Sequence, residues 1–343
     1  EYPNDVKLII SIDKGENDQV LEIAKKYSWR YGDKEVIYQD ENLGLKSHIL
    51  KCGDLTKKYD SIILLEDDLY VSSKFYKYTL KALSYYKESK KIAGISLYAK
   101  RRNFLSKERP YPLFDPIPDD SDVFFLQIPE SWGQVWIKDQ WTAFRDWLNY
   151  YNSNETLQDI NSLPPFLLSW PDSSWAKYFW AYMVHKNRYF VYPRVSFTTQ
   201  FSELGVHTKH KSTIYQVPLQ NYKTHFIFNI LDNSLAVYDS FFEILPEKLN
   251  KMTKIFKDYN YEVDLNGLKD ISWTDKDYLL TVKICRDYLF SFGNELKPSE
   301  QNVIEGIKGN DIFFAKRESV LTKPKDPKFS SRISKRIRRA ISA

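Results

Sequence analysis

Residues 6–13, VKLIISID, form a short apolar run closed by an acid. A run of that length between polar flanks reads as a buried parallel strand. NDQVLEIAKKYSWRYG follows with apolar positions at helical spacing and a stop at Gly32. KEVIYQD reads as a second strand, and LKSHILKCGDLTKKY as a second helix with Leu45, Ile49, Leu50 and Leu55 on one side. DSIILLEDD is a third strand, SKFYKYTLKALSYYKES a third helix and KIAGISLYA a fourth strand. Strand alternating with helix predicts an α/β fold, a mostly parallel, Rossmann-like sheet flanked by helices.

The alternation loosens over 104–135, where RPYPLFDPIPDD reads as a Pro-rich surface loop. QVWI is strand-like and leads into a helix. A Pro-Pro loop precedes a helix rich in Trp and Tyr, RYFVYP is strand-like, and FSELGVHTKHKS is a loop. From about 217 the pattern changes. Short strand candidates (YKTHFIFNI, YEVDLNG, YLLTVKIC, NDIFFAKRE) mix with the helical LPEKLNKMTKIFKDY. The expected domains are 1–215, a smaller C-terminal α/β appendage over 216–322, and a tail over 323–343. In the tail, Phe329, Ile333, Ile337 and Ile341 recur four apart among basic residues. That spacing predicts a basic amphipathic helix suited to an anionic membrane surface; a basic tail without structure, or one touching RNA, fits the same residues.

Charge sharpens this division. The formal net charge is +5, yet KFSSRISKRIRRAISA alone carries six basic residues and no acid. The body of the chain is therefore near neutral, and a nucleic-acid footprint across it is not expected. Aromatic residues make up 16% of the chain. That level suits a carbohydrate- or nucleotide-handling surface and equally a core built from rings. Cys52 and Cys285 stand far apart, with no metal spacing and no disulfide framework, so free thiols are expected.

The chemistry concentrates at strand ends, where open α/β sheets bind their ligands. Asp13 closes the first strand, and Glu66, Asp67 and Asp68 close the third. Asp13 alone reads equally as a helix N-cap. Three successive acids exceed what one cap requires, and like charges so close are kept only where water or a cation neutralises them. Adjacent carboxylates can hold Mg²⁺ or Mn²⁺ while the ion takes up a diphosphate.

IILLEDDLYVSSKFYKYTLKAL resembles the strand–EDD–helix segment of GT-A fold glycosyltransferases, most closely those of the N-acetylglucosaminyltransferase I type and bacterial family 2-type enzymes that build surface polysaccharides. The resemblance runs over roughly residues 5 to 210. LIISIDKG, ENLGLKSHI, ESWGQVWIKDQW and FSELGVHTKH are similar to further family segments, with EDD the most specific. Such a sheet normally opens with a strand whose loop holds the base. The chain starts on EYPNDV directly before a strand, and that first β–α unit is read as missing.

The resemblance implies a metal-dependent, inverting glycosyltransferase, a hexosyl- or N-acetylhexosaminyltransferase. It would move sugar from a nucleotide-sugar donor, a UDP-sugar first, to a polysaccharide or lipid-linked glycan at the cytoplasmic face of the cell membrane. Asp68 would ligate Mn²⁺ or Mg²⁺, and His207 would touch the metal or the diphosphate. Asp67 would bind the ribose or a metal-bound water, Glu66 would line the donor site, and Asp13 would approach the nucleobase. Asn42 and Lys46, with Trp132 and Gly133, would complete the donor site. An inverting transfer needs a general base. Asp172, in WPDSSWAKYFW, matches by position, although the family's acid after the Trp is replaced by Ala176 and Lys177; Glu130 is the second candidate. Asp172 reads equally as an N-cap, and Trp132 and Trp175 as sugar-stacking surfaces or as core. Two alternatives stay open: a sugar nucleotidyltransferase, and a non-catalytic carbohydrate-binding protein on the same fold.

Overall fold

The computed structural model describes residues 2–3, 5–154, 156–160, 162–202 and 212–321. His207 and the tail helix expected over 323–343 lie outside them. The chain divides into two compact units, Glu1–Arg101 with Asp120–Asn233, and Arg102–Asp119 with Ser234–Ala343. Residues 216–233, expected in the appendage, belong to the first unit. Most of the Pro-rich stretch belongs to the second.

The first unit begins with β1 (Leu8–Ile12), α1 (Gln19–Lys26), β2 (Lys34–Tyr38), α2 (Gly44–Asp54), α3 (Thr56–Tyr59), β3 (Ser61–Leu64), β4 (Leu69–Val71) and α4 (Phe75–Tyr86). It continues with β5 (Ile92–Ser96), β6 (Val123–Leu126), β7 (Gln134–Ile137), α5 (Lys138–Asn154), α6 (Pro165–Leu168), α7 (Trp175–His185), β8 (Tyr189–Pro193) and β9 (Thr198–Gln200). The expected strand–helix alternation is present up to β5.

The expectation of a mostly parallel sheet does not hold. β1 and β2 pair in parallel, but as a separate two-stranded sheet whose residues are half-buried rather than buried. The main sheet runs β6-β8-β5-β7-β3, and only β5/β8 is parallel; β6/β8, β5/β7 and β3/β7 are antiparallel. The architecture is α/β with mixed sheets. The reason lies in 120–137: VFFL, inside the stretch read as irregular, forms β6, and QVWI forms β7 between β3 and β5.

The core sits on this sheet, where β5, β6, β7 and β8 are buried throughout. Trp136, Trp141, Phe144, Trp175 and Phe179 pack ring on ring beside it, with Trp136 and Trp141 centroids 4.1 Å apart. Much of the aromatic content is thus core. α2 reaches this cluster through Gly53, where an added Cβ would lie 2.0 Å from the Trp141 ring. YKTHFIFNI forms no strand. Phe226 and Phe228 pack inward on Tyr78 while Ile227 faces out, so the alternation is present without a ladder. Asp122 holds this segment by accepting from Ile227 N and donating its own N–H to Ile227 O.

The second unit contains β10 (Val237–Tyr238), α8 (Pro246–Met252), β11 (Tyr261–Asp264), β12 (Tyr278–Thr281), β13 (Phe290–Phe292), α9 (Ser299–Ile304) and β14 (Ile312–Lys316). Its sheet runs β11-β12-β14-β13, parallel only between β11 and β12. α8 ends at Met252, short of the expected span, because Thr253 turns extended. Buried ion pairs tie the sheet to its loops: Lys283 with Asp264 at 2.6 Å, and Lys269 with both Asp239 and Glu262.

Candidate functional site

β3 ends at Leu64, and the chain turns at Asp67–Asp68 before β4. This turn carries the acid group. Asp67 and Asp68 are exposed, and Glu66 is partly buried behind them. Glu130 joins the group from the loop before β7. Burial, followed by the charges of Asp68, Glu130 and Asp67, pushes the Glu66 carboxyl up to about 8. The charges of Asp67, Asp68 and Glu130 thus act on Glu66 at the end of β3.

Glu130 is only 3% exposed. Its Oε2 pairs with Lys100 Nζ at 2.6 Å, and its Oε1 accepts from Ser131 N and Trp132 N. The sequence reading missed Lys100; a lysine just past a buried strand is the one signal it offered. Trp132 stands over this pair. It is half-exposed, edge-on to Tyr98 at 4.8 Å and 5.3 Å from Lys100 Nζ. Gly133 follows at φ +93°, where an added Cβ would lie 2.7 Å from Thr198 Cγ2. The close approach of β9 leaves no room for a side chain there.

The remaining predicted residues gather elsewhere. Asp13 accepts from Leu43 N at 2.8 Å and Gly44 N at 2.9 Å, closing the start of α2. Partial burial raises its carboxyl, but the N–H groups of Leu43, Lys14 and Gly44 and the nearby His48 outweigh this and hold it below the usual carboxylate range. Asn42 donates to Lys14 O and accepts from Gly44 N in the same clasp. Asp13 therefore does cap a helix, though α2 rather than the helix next in sequence. The ring of His48, bonded to Ser11 Oγ at 2.8 Å, is pushed down by burial.

Lys46 lies with Asp172. It donates to Asp172 O and sits 3.6 Å over the Tyr178 ring. The Asp172 side chain is 84% exposed, and Lys177 Nζ, 2.8 Å away, holds its carboxyl below the usual range. The N-cap of α7 is Ser174, which accepts from Lys177 N, so the capping reading of Asp172 gives way to this ion pair. Trp175 is 2% exposed against Trp136 and Phe179, and is core.

For a cation, the all-oxygen donor set of the β3 turn suits Mg²⁺ or Mn²⁺. Among the described residues no group of three His, Cys, Asp or Glu converges closely enough to hold a metal ion by itself. One or two carboxylates with substrate phosphate oxygens is how Mg²⁺ is commonly held. Burial first, and the neighbouring negative charges second, raise Glu66, and a cation at the turn would relieve the second of these. No helix among the described residues is long and apolar enough to cross a membrane. Comparison with protein-family models and with curated proteins finds no match for this chain.

Proposed function

We propose that the chain is a metal-dependent glycosyltransferase of GT-A type, inverting, which moves a sugar from a nucleotide-sugar donor to a polysaccharide or lipid-linked glycan. The observation that carries this reading is the run of Glu66, Asp67 and Asp68 at the turn after β3, where burial and the charges of Asp68, Glu130 and Asp67 push Glu66 up to about 8. A divalent cation held through Asp68 would neutralise the charge that develops on the departing nucleoside diphosphate. Asp67 orients the ribose side, and Glu66 closes the back of the pocket. The Lys100–Glu130 pair fixes the wall on which Trp132 presents its ring to the donor sugar. Of the two candidate bases, Asp172 is the one open to an acceptor hydroxyl, while Lys100 closes off Glu130. The basic tail, by its sequence, brings the enzyme to an anionic membrane where a lipid-linked acceptor would lie.

A second reading is favoured by one observation: Asp172 and Glu130 are both held in lysine ion pairs. A carboxylate so held is a weak base, and a saccharide-binding protein without turnover needs none.

A thermal-shift panel of UDP, GDP, CMP and dTDP sugars, each with and without Mn²⁺, tests the proposal. Stabilisation by one nucleotide class that requires Mn²⁺ is expected, and its loss in a folded Asp68→Ala variant. Metal-dependent stabilisation that survives Asp68→Ala removes the assignment.

A further inference from the structure

Just beyond Asp68 the chain enters β4, which pairs antiparallel with β9 in a short ribbon: Leu69 faces Gln200, Tyr70 faces Thr199 and Val71 faces Thr198. Phe201 N donates to Asp68 O at 3.0 Å, so Phe201 stands opposite Asp68 across the ribbon. Tyr70 is 56% exposed and Phe201 45%. Their rings meet edge to face, with centroids 6.0 Å apart and planes at 89°. Elsewhere in this unit rings such as Tyr78 and Phe197 stack in the core. Scattered exposed apolar side chains are ordinary, but two large rings held together in water beside an acidic turn forgo the stabilisation that burial gives.

We infer that Tyr70 and Phe201 form the platform for a neutral sugar ring of the glycan acceptor, an inference that rests on the transferase reading of the adjacent acids. A pyranose offers C–H bonds on its face and hydroxyls at its rim. An aromatic ring takes up the first, and uncharged polar groups take up the second. The ribbon supplies both. Thr199, opposite Tyr70 and on the same face as both rings, borders them, and residues 69–71 and 198–201 carry no charge. An anionic ligand would meet Asp67 and Asp68 at this edge, and an acyl chain would find its apolar surface interrupted by Thr199. The donor is assigned to Glu66, Asp67, Asp68 and Trp132. The open platform suits the larger partner, with two rings at right angles able to grip successive residues of one chain.

Saturation-transfer NMR tests this with neutral hexasaccharides of glucose, galactose, N-acetylglucosamine and rhamnose, on wild type, Tyr70→Ala/Phe201→Ala and Tyr70→Phe. At least one hexasaccharide is expected to receive saturation at its ring C–H protons. The double variant weakens this by roughly tenfold, while Tyr70→Phe preserves it. Absence of saturation for all four with wild type, or equal saturation with the double variant, overturns the platform. The Mn²⁺-dependent nucleotide shift is measured on the same samples. The double variant keeps that shift if the rings serve the acceptor, and loses it if they serve the donor, which also overturns the inference. Saccharide binding lost on alanine substitution, in a wild type with no nucleotide shift, upholds the platform as a sugar site and sinks the transferase reading alone.

Discussion

Replacing Glu66 by glutamine removes a carboxylate at the turn after β3 without changing its shape. In the folded protein burial and the charges of Asp68, Glu130 and Asp67 push Glu66 from its ordinary 4.5 up to about 8. The native chain therefore keeps a proton that the unfolded chain has shed over that interval. Because the native state binds more protons there, the unfolding free energy falls as pH rises from about 4.5 to 8, and levels off above. At about 1.36 kcal/mol per pH unit the full gap is worth about 5 kcal/mol. Water reaching the partly exposed carboxyl reduces this to about 1–3 kcal/mol. Only Trp273 of the nine tryptophans lies in the second unit, so tryptophan fluorescence in a urea titration reports on the first. With EDTA present, the wild type should lose about 1–3 kcal/mol more than Glu66→Gln between pH 5 and 9. Other carboxyls raised by burial act equally in both proteins, so the difference isolates Glu66. With Mn²⁺ the wild-type slope should flatten, as the cation takes the place of the proton. Parallel profiles for the two proteins in EDTA would refute the electrostatic reading of the cluster.

Asp172→Asn is expected to leave the Mn²⁺-dependent nucleotide shift intact and to lower turnover by about 100-fold or more, the contribution of a general base; unchanged turnover places the base elsewhere. Asp13→Ala strips the start of α2 of its acceptor and should destabilise the first unit by about 1–2 kcal/mol in urea. Its carboxyl is held low, so the stability it lends is present above the usual carboxylate range and fades only in acid; a destabilisation that persists undiminished at pH 2.5 contradicts the cap. Gly53→Ala drives a methyl group into Trp141 and should cost about 3 kcal/mol, against almost nothing for the unobstructed Gly15→Ala, both read from urea midpoints. Lys283→Met strands the buried Asp264 carboxylate and should cost the second unit about 3–5 kcal/mol, followed by Trp273 emission in a background lacking the other tryptophans' signal change.

The sequence was most legible where one element makes its own case. β1, β2, β3, β5, α1, α2 and α4 each show a period and each forms, although α1 ends at Lys26 instead of reaching the expected stop at Gly32, and the second helix divides into α2 and α3 at Leu55. It was least legible where pairing decides. Nothing local to QVWI says that it will lie between β3 and β5 and run against both. VFFL gives four apolar residues between polar ends, a fair strand signal that the Pro-rich stretch before it obscured. Phe226 and Phe228 show the converse, a strand-like alternation satisfied by packing alone. At the site, Glu66, Asp67 and Asp68 were legible because three adjacent acids are rarely accidental. Asp13 and Asp172 were ambiguous because a carboxylate serves equally well as a cap, an ion-pair partner or a base. Only the neighbours, the Leu43 and Gly44 N–H groups in one case and Lys177 in the other, distinguish these roles.

Those neighbours also sort the acids by what they can do. Glu130 and Asp172 each meet a lysine within 2.8 Å, and their negative charge is already answered by the protein. At Glu66 burial, and after it the negative charges of Asp68, Glu130 and Asp67, push the carboxyl up to about 8. The turn has Asp67 and Asp68 at the surface, and a proton on Glu66 is a reversible correction. A reversible correction is useful when a cation and an anionic substrate arrive together and leave together, since the proton can depart as the cation enters and return when it goes. Proton release on Mn²⁺ addition, measured in a weakly buffered solution at pH 7, should accordingly approach one per protein in the wild type and vanish in Glu66→Gln; equal release from both would assign the proton to another group.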